Sequence, residues 1–479
     1  MAAPVTVATA EGSLYELVAR GNKDVFFFQD TPKSKFPFDP SYEVQAATIS
    51  EVRRVPPRNA PDFGRTVEFD FDLVGDIMRC PTLVINLPSW LPPTIARQAQ
   101  SSLITDEGGA SYGYVNSIAY FLFEQIQFYQ DNILLQEFSG DVLWAAHKAT
   151  GTYGHCFVYN TLTGQHDGST VAISRQAAPP QLRLDLPLIG CQSAGDKGFP
   201  QRSATKHSYR LRCKLRRLED LVESSDLSNF SKPAPWSIKT LYQRTSPAGP
   251  NQQGIEGTVP FTPIPRQDIA PITLLLETTQ VYVQRHIQDL LEREPQQVFF
   301  KRLFENKFTQ NQLDYQGIMG AAGGGSALIT RRLDGRHPTG RILFFFRTQK
   351  DIQANRLWKL FEGFTTVTLV IAGQTREYPR GPLAWRDIVN FGKEQIDTES
   401  ELCSMNWSMG HIPPQRFPES LESQPSGTIN MSTADRPTFN LSLTQPPLDF
   451  PVTELRVITE GWARFDTDGQ GRAELFSAN

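Results

Sequence analysis

Eight residues early in the chain, Thr66 to Leu73 (TVEFDFDL), alternate without a break. Val67, Phe69, Phe71 and Leu73 point one way, and Glu68, Asp70 and Asp72 the other. Side chains on a strand alternate between the two faces of a sheet, so a period of two commits this segment to a strand with one dry and one wet face. The pattern recurs along the chain. Leu83, Ile85 and Leu87 repeat it until Pro88, and Gln181 to Leu186 carries it again. Tyr209, Leu211, Cys213 and Leu215 oppose Arg210, Arg212, Lys214 and Arg216. Residues 118–138 read as two strands joined at Asp131-Asn132, a pair suited to a tight turn. Ser139 then caps a short helix through Asp141 and Trp144 to His147. Further strands are expected at 272–283, 341–347 and 365–371, with a helix over 284–294 that places Ile287, Leu290 and Leu291 on one face. Asp468-Gly469 marks a hairpin between 462–465 and 473–476.

The 35 Pro and 34 Gly are scattered among 479 residues, the punctuation of many short strands rather than of long helices. The first forty or so residues read as an arm: a helical turn at Ser13 to Ala19, a strand at Val25 to Gln29, then a Pro-rich extended stretch to Pro40. Between Glu223 and Pro265 the composition shifts toward Ser, Pro, Gly, Asn and Gln, which suggests a boundary. The order of strands, strand pair, short helix, loop-rich stretch and closing strands occurs twice. The expectation is an all-β chain of two tandem β-sandwiches with short helices in loops, jelly rolls being one common version. The expected division is an arm and first strand at 1–40, a first sandwich at 41–225, a linker at 226–266 and a second sandwich at 267–479.

Residues that would carry chemistry are sparse. His147, His155, His166, His207, His286, His337 and His411 never approach metal-ligand spacing, and no H-x-H pair of the kind a cupin enzyme needs is present. Cys80, Cys156, Cys191, Cys213 and Cys403 are far apart and odd in number, which suggests neither a zinc knuckle nor a disulfide framework, and favours a reducing compartment. There is no G-x-S-x-G and no H-E-x-x-H. The loop Gly317 to Ser326 lacks the Gly-Lys-Ser/Thr of a phosphate cradle. Asp466-Thr467-Asp468-Gly469 reads as a hairpin turn rather than a calcium loop, because the closing position is Ser477. The basic strand face at 210–217 is followed directly by Glu219, Asp220 and Glu223, and the net charge is −4. A solvated or intersubunit face is therefore favoured over nucleic-acid binding. N-x-S/T sites at Asn229, Asn406, Asn430 and Asn440 are read as coincidences of composition. The N-terminus shows no secretory pattern, and runs such as Ile342 to Phe346 fall short of a membrane span. No catalytic, cofactor-binding or metal-binding residue is assigned.

One stretch is more specific. Gln424-Pro425-Ser426-Gly427-Thr428-Ile429-Asn430-Met431-Ser432, followed by Thr438 to Leu443, resembles the Q-P-S-G-x-x-N-x-S stretch of the major capsid proteins of nucleocytoplasmic large DNA viruses. Tyr114-Val115-Asn116-Ser117-Ile118 resembles that family's Y-V-N-S-I-G region, with Ala119 where Gly is usual. Leu186-Pro187-Leu188 and the opening Leu17 to Gly21 with Asp24-Val25 are similar to family segments in the same order. Tyr209 to Val222 looks like the strand that closes a first jelly roll, and Ile272 to Phe300 like the opening strand and helix of a second. The resemblance implies two eight-stranded jelly rolls per chain, and a homotrimer forming a pseudo-hexagonal capsomer of an icosahedral double-stranded DNA virus shell. It implies a protein made in the host cytoplasm and residing in the virion. Its partners would be neighbouring capsomers and minor capsid and penton proteins, over an inner viral membrane that it does not enter. Residues 148–180 and 305–340 would be surface loops, and no direct nucleic-acid binding or enzymatic activity is expected. Two other readings compete: a minor capsid paralogue, and a glycan-binding protein or enzyme on paired sandwiches, since fold alone does not fix function.

Overall fold

The computed structural model describes residues 47–90 except 72, 103–105, 110–150, 160–192 except 178, and 198–244 except 238–239. It continues with 256–309 except 261 and 263, 327–361 except 336–337, 364–385, 402–407, 427–443 except 432–436, and 452–476. The arm at 1–40, the glycine-rich loop at 317–326 and the ends of the 424–432 stretch lie outside the described residues. Eight strands build a first half: β1 (Thr48–Val55), β2 (Thr66–Phe71), β3 (Ile77–Asn86), β4 (Phe123–Gln130), β5 (Ile133–Phe138), β6 (Leu182–Asp185), β7 (Tyr209–Leu215) and β8 (Thr273–Val283). Eight more build a second: β9 (Gln296–Thr309), β10 (Ala327–Arg332), β11 (Pro338–Thr348), β12 (Phe364–Ile371), β13 (Gln374–Arg380), β14 (Cys403–Asn406), β15 (Thr438–Leu443) and β16 (Val452–Thr467).

The two halves repeat one topology. The first pairs its strands in the orders β1-β8-β3-β6 and β2-β7-β4-β5, and the second in the orders β9-β16-β11-β14 and β10-β15-β12-β13. Numbered within its own half, each sandwich is 1-8-3-6 against 2-7-4-5, with every pairing antiparallel. That is the jelly roll expected from sequence. The alternation read at Val67 to Phe71 behaves as expected: Val67, Phe69 and Phe71 are buried opposite Cys213, Leu211 and Tyr209. The second core is built from Phe344, Phe346, Phe364, Phe439, Leu441, Leu455 and Val457. Tight turns join the fourth and fifth strands in both halves, with left-handed backbone at Asp131 in the first and at Ala372 and Gly373 in the second. The Asp468 hairpin forms as expected, its carboxylate accepting from the Gln470 and Arg472 amides.

The expected boundaries are corrected. Residues 209–215 are the seventh strand of the first half, not its closing strand. Closure is made by 273–283, which hydrogen-bonds to β1 and β3 instead of opening the second half. The stretch taken for a linker, 226–266, is an insertion between the seventh and eighth strands. Its segments Thr240–Arg244 and Glu256–Pro260 form a small sheet with Leu103–Thr105. The physical reason is that a jelly roll seats its first and last strands side by side, so a long polar insertion before the last one mimics a domain boundary. The candidate loop 305–340 is likewise too wide, since 305–309, 327–332 and 338–340 are strand.

Consecutive strands run in opposite directions, so odd-to-even connections collect at one end and even-to-odd connections at the other. The first end carries the described residues of 87–122, 139–181 and 216–272 in the first half and of 349–363 and 381–402 in the second. The opposite end holds the described residues of 72–76, 131–132, 333–337, 372–373 and 186–208. Between the halves stands helix α2 (Arg285–Arg293).

Candidate functional site: the joint between the two sandwiches

The strand read as the longest apolar run explains how the halves are joined. In β11, Ile342, Phe344 and Phe346 enter the second core, while Leu343 and Phe345 belong to the core cluster continuous with the first half. A strand buried on both faces cannot alternate, which is why Ile342 to Phe346 is apolar throughout. On the face toward the first half, Leu343 lies opposite Ile458, and that apolar centre is bounded by Arg341 opposite Glu460 and Arg347 opposite Glu454.

The first half meets this face with the end of β5 and with helix α1 (Gly140–Thr150). Ser139 caps α1 as expected, its hydroxyl accepting from the Val142 amide at 3.2 Å. Gly140 is required here, because a Cβ at this position would sit 2.0 Å from the Tyr120 carbonyl oxygen. The helix start is thereby pressed onto the chain entering β4, which aims Asp141 into the joint. Trp144 packs edge-on against Phe345, with ring centroids 6.1 Å apart.

Asp141 is the hub. Only 1% exposed, it lies 2.6 Å from Arg347 Nη1, 2.7 Å from Arg216 Nη2 and 3.3 Å from Arg456 Nη1. Arg456 also pairs with Glu305 and, at 2.5 Å, with Glu454, which in turn meets Lys307 at 3.0 Å. Burial alone would push the Asp141 carboxyl up, but Arg456, Arg347 and Arg216 outweigh it and hold it well below the ordinary carboxylate range. Glu454 and Glu460 are lowered in the same way, against their burial, by Arg456 and Arg347 and by Arg341 and Lys301 respectively. Burial draws Arg347 down, while Arg456 is raised against its own burial by Asp141, Glu305 and Glu454. Buried charges persist only when compensated in this manner, so the network fixes one mutual placement of the halves.

A second grip lies in the 349–363 connection. Arg356 donates to the carbonyls of Asp226, Leu227 and Asn229, Asn355 to those of Glu219 and Val222, and Trp358 Nε1 to Glu223 at 2.8 Å. Glu223 also contacts His166 Nε2 at 2.7 Å. A cavity of about 400 Å³ remains between β5 and β9, lined by Glu124, Glu137, Arg302 and Glu305 among others.

The residues weighed in the sequence fall apart in space. His147 bonds Tyr120, His166 meets Glu223, His207 meets Asp131 and His286 lies exposed on α2. His155, His337 and His411 lie outside the described residues. Among the described residues, no three His, Cys, Asp or Glu side chains gather closely enough to hold a metal ion. No described helix is long and apolar enough to cross a membrane. On the basic face of β7, Arg210 and Arg212 approach Glu68 and Lys214 pairs with Glu124 at 2.9 Å, so the positive charge is answered within the sheet. Asn229 lies in an exposed turn, Asn406 is buried, and Asn430 and Asn440 lie in strands.

No protein-family model and no curated protein sequence matches the chain. Solved structures do. The PBCV-1 protein VP54, as fitted into a reconstruction of the virophage Sputnik, superposes with a TM-score of 0.65 at 12% identity, over 92% of this chain and 100% of VP54. A quasi-atomic model of the PBCV-1 capsid gives 0.63 at 12% identity, again over 92% and 100%. The Faustovirus major capsid protein gives 0.58 at 10% identity, over 94% and 96%. The chain therefore has the double jelly-roll fold of these capsid proteins along nearly its whole length.

Proposed function

We propose that this chain is the major capsid protein of an icosahedral double-stranded DNA virus, and that it acts as a structural homotrimer rather than as an enzyme. The observation that carries the reading is the duplicated 1-8-3-6 and 2-7-4-5 sandwich, locked by a buried ionic joint and similar over its length to viral capsid proteins. Two like units held rigidly in one chain let three chains present six like domains, which suits a lattice site with six neighbours. The end bearing the long connections faces outward. The end with the short turns and α2 faces the virion interior, where minor shell proteins and an inner membrane would lie. The protein is made in the host cytoplasm and resides in the shell, contacting neighbouring capsomers and penton proteins.

Light scattering on a sizing column tests the assembly. The expected species has about three times the 53.8 kDa chain mass and resists dilution. Quantitative mass spectrometry of virions then tests abundance, with this chain expected as the dominant shell component. A stable monomer, or a chain present in few copies per particle, overturns the assignment.

A further inference from the structure

The joint inside the chain has two sides, and each half carries both. On the first side is the outward face of the 1-8-3-6 sheet. On the second is the fifth strand with the turn that follows it. Within the chain, the second half offers the sheet face and the first half offers β5 and α1. Among the described residues, this leaves the β1 side of the first half's sheet face, where Val52 is 63% exposed, and the fifth strand of the second half without a counterpart, while Thr82, Val84 and Glu277 further across the sheet are buried.

Both leftover surfaces repeat the construction of the used ones. The outward rows of the first half's sheet are Val52 with Thr279, Arg54 with Glu277, Thr82 and Asp185, and Leu275 with Val84 and Arg183. Glu277 is gripped by Arg54 at 2.8 Å and by Arg183. An acidic residue on the eighth strand is thus held by arginines of neighbouring strands beside an apolar patch, as Glu454 and Glu460 are held beside Leu343, Phe345 and Ile458. On the other side, β5 runs into Gly140 with Trp144 four residues on, and β13 runs into Gly381 with Trp385 four residues on. Both tryptophans are buried. In that alignment Val142, buried beside the β9 strand, corresponds to Leu383. Yet β13 is exposed at every position but one, with Tyr378 71% and Leu383 59% exposed, and Val52 opposite them in the scheme is 63% exposed. Large apolar side chains stand open on the two surfaces that the internal joint leaves over.

We propose that these surfaces mate between copies of this chain: strand β13 and the turn 381–385 of one copy seat on the β1-β8-β3-β6 face of the next, around Val52, Leu275 and Glu277. The contact is head to tail, and such contacts close into a ring when the rotation per joint permits. Six sandwiches, two per chain, close when each joint turns by about 60°, which gives three chains. This rests on the trimeric reading above and adds which residues form the contact and its direction.

A pair of variants tests it. Tyr378→Asp/Leu383→Asp spoils the strand side, and Val52→Asp/Leu275→Asp spoils the sheet side, with circular dichroism and melting used to verify folding. Each folded variant alone is expected at one chain mass, because every contact needs both sides. Mixed in equal amounts, the two are expected to form a complex of two chains and no more, since one intact joint survives. Should an aspartate variant not fold, co-expressed Val52→Cys and Tyr378→Cys chains treated with a short bis-maleimide are expected to link unlike chains to each other. A wild-type trimer whose folded variants still run at three chain masses, or unlinked cysteine chains, overturns this contact and leaves the trimer standing. A wild-type monomer overturns both.

Discussion

Replacing Asp141 by Asn removes the hub charge while keeping the side-chain shape. Four cations, Arg216, Arg347, Arg456 and Lys307, meet three carboxylates, Asp141, Glu305 and Glu454, in the wild-type network. The variant leaves four cations with two carboxylates in a water-poor site. A unit pair at about 3 Å with an effective dielectric of about 20 is worth roughly 5 kcal/mol. Asp141 has three such contacts, which are offset by the several kcal/mol needed to desolvate each ion and by repulsion among the arginines. The net loss on breaking a buried ion network of this kind is about 3–5 kcal/mol. Urea unfolding at pH 7, followed by tryptophan fluorescence and far-UV circular dichroism, measures it. The double variant Asp141→Asn/Arg347→Met is expected to lose less than the sum of the two single variants, because it also removes one stranded cation. A loss below about 1 kcal/mol for Asp141→Asn, or strict additivity in the double variant, would refute the claim that this network locks the halves.

Three further outcomes are expected. Asp141, Glu454 and Glu460 are all depressed in the folded chain, so the stability they contribute is fully present above their unfolded values of 3.8 and 4.5. It is lost as pH falls below those values through the folded ones, so urea midpoints should be flat from pH 8 to 6 and drop steeply below about 4, an effect absent at Asp141 in the Asn variant. Arg356→Met strands the carbonyls of Asp226, Leu227 and Asn229, at about 1–3 kcal/mol locally, and should speed hydrogen exchange and chymotryptic cleavage near Leu227 and Phe230 while leaving far-UV circular dichroism unchanged. Alkylation of the native protein at neutral pH should label exposed Cys80 and spare Cys213, whose thiol is buried and pushed up by that burial, as well as buried Cys403.

Much of the fold is legible in the sequence because a strand with one wet face writes its period directly. The β2, β4, β5, β7 and β12 segments, the Ser139 cap and the Asp468 hairpin all depend on neighbours close in sequence, and each is found where expected, except that the first strand expected from residue 118 starts only at Phe123, after a helical turn at Ile118–Phe121. The boundary was not legible, because nothing in residues 273–283 says whether their partners come before or after them. Their pairing with β1 and β3 is a matter of topology. The joint was half legible. Arg341-Ile342-Leu343-Phe344-Phe345-Phe346-Arg347 announces a strand buried on both faces, with a charge at each end. Asp141, by contrast, reads only as a helix-start residue, and its three arginines come from β11, β16 and the end of β7.

The same contrast bears on how a chain of this fold would avoid random association before the proposed assembly. The third strands of the two halves are structurally equivalent, yet β11 presents Leu343 and Phe345 on its outward face where β3 presents Thr82 and Val84. The β11 face is covered as soon as the chain folds, so aromatic and aliphatic bulk there is never displayed to water. The first half's face stays open at its β1 side, where Val52 is 63% exposed although Thr82 and Val84 are buried, and further apolar bulk there would invite random association during synthesis. Thr82, bonded to Asp185, and Val84 are already buried on this face, and Glu277 is satisfied by Arg54 and Arg183, so the face carries little unpaired or greasy surface of its own. Replacing Thr82 and Val84 with the Leu and Phe that β11 carries at the equivalent places should therefore tighten assembly and lower the yield of soluble monomer together. Native mass and soluble yield, measured side by side, would show whether the mixed character of this face is a compromise between the two, and tighter assembly with undiminished yield would sink that view.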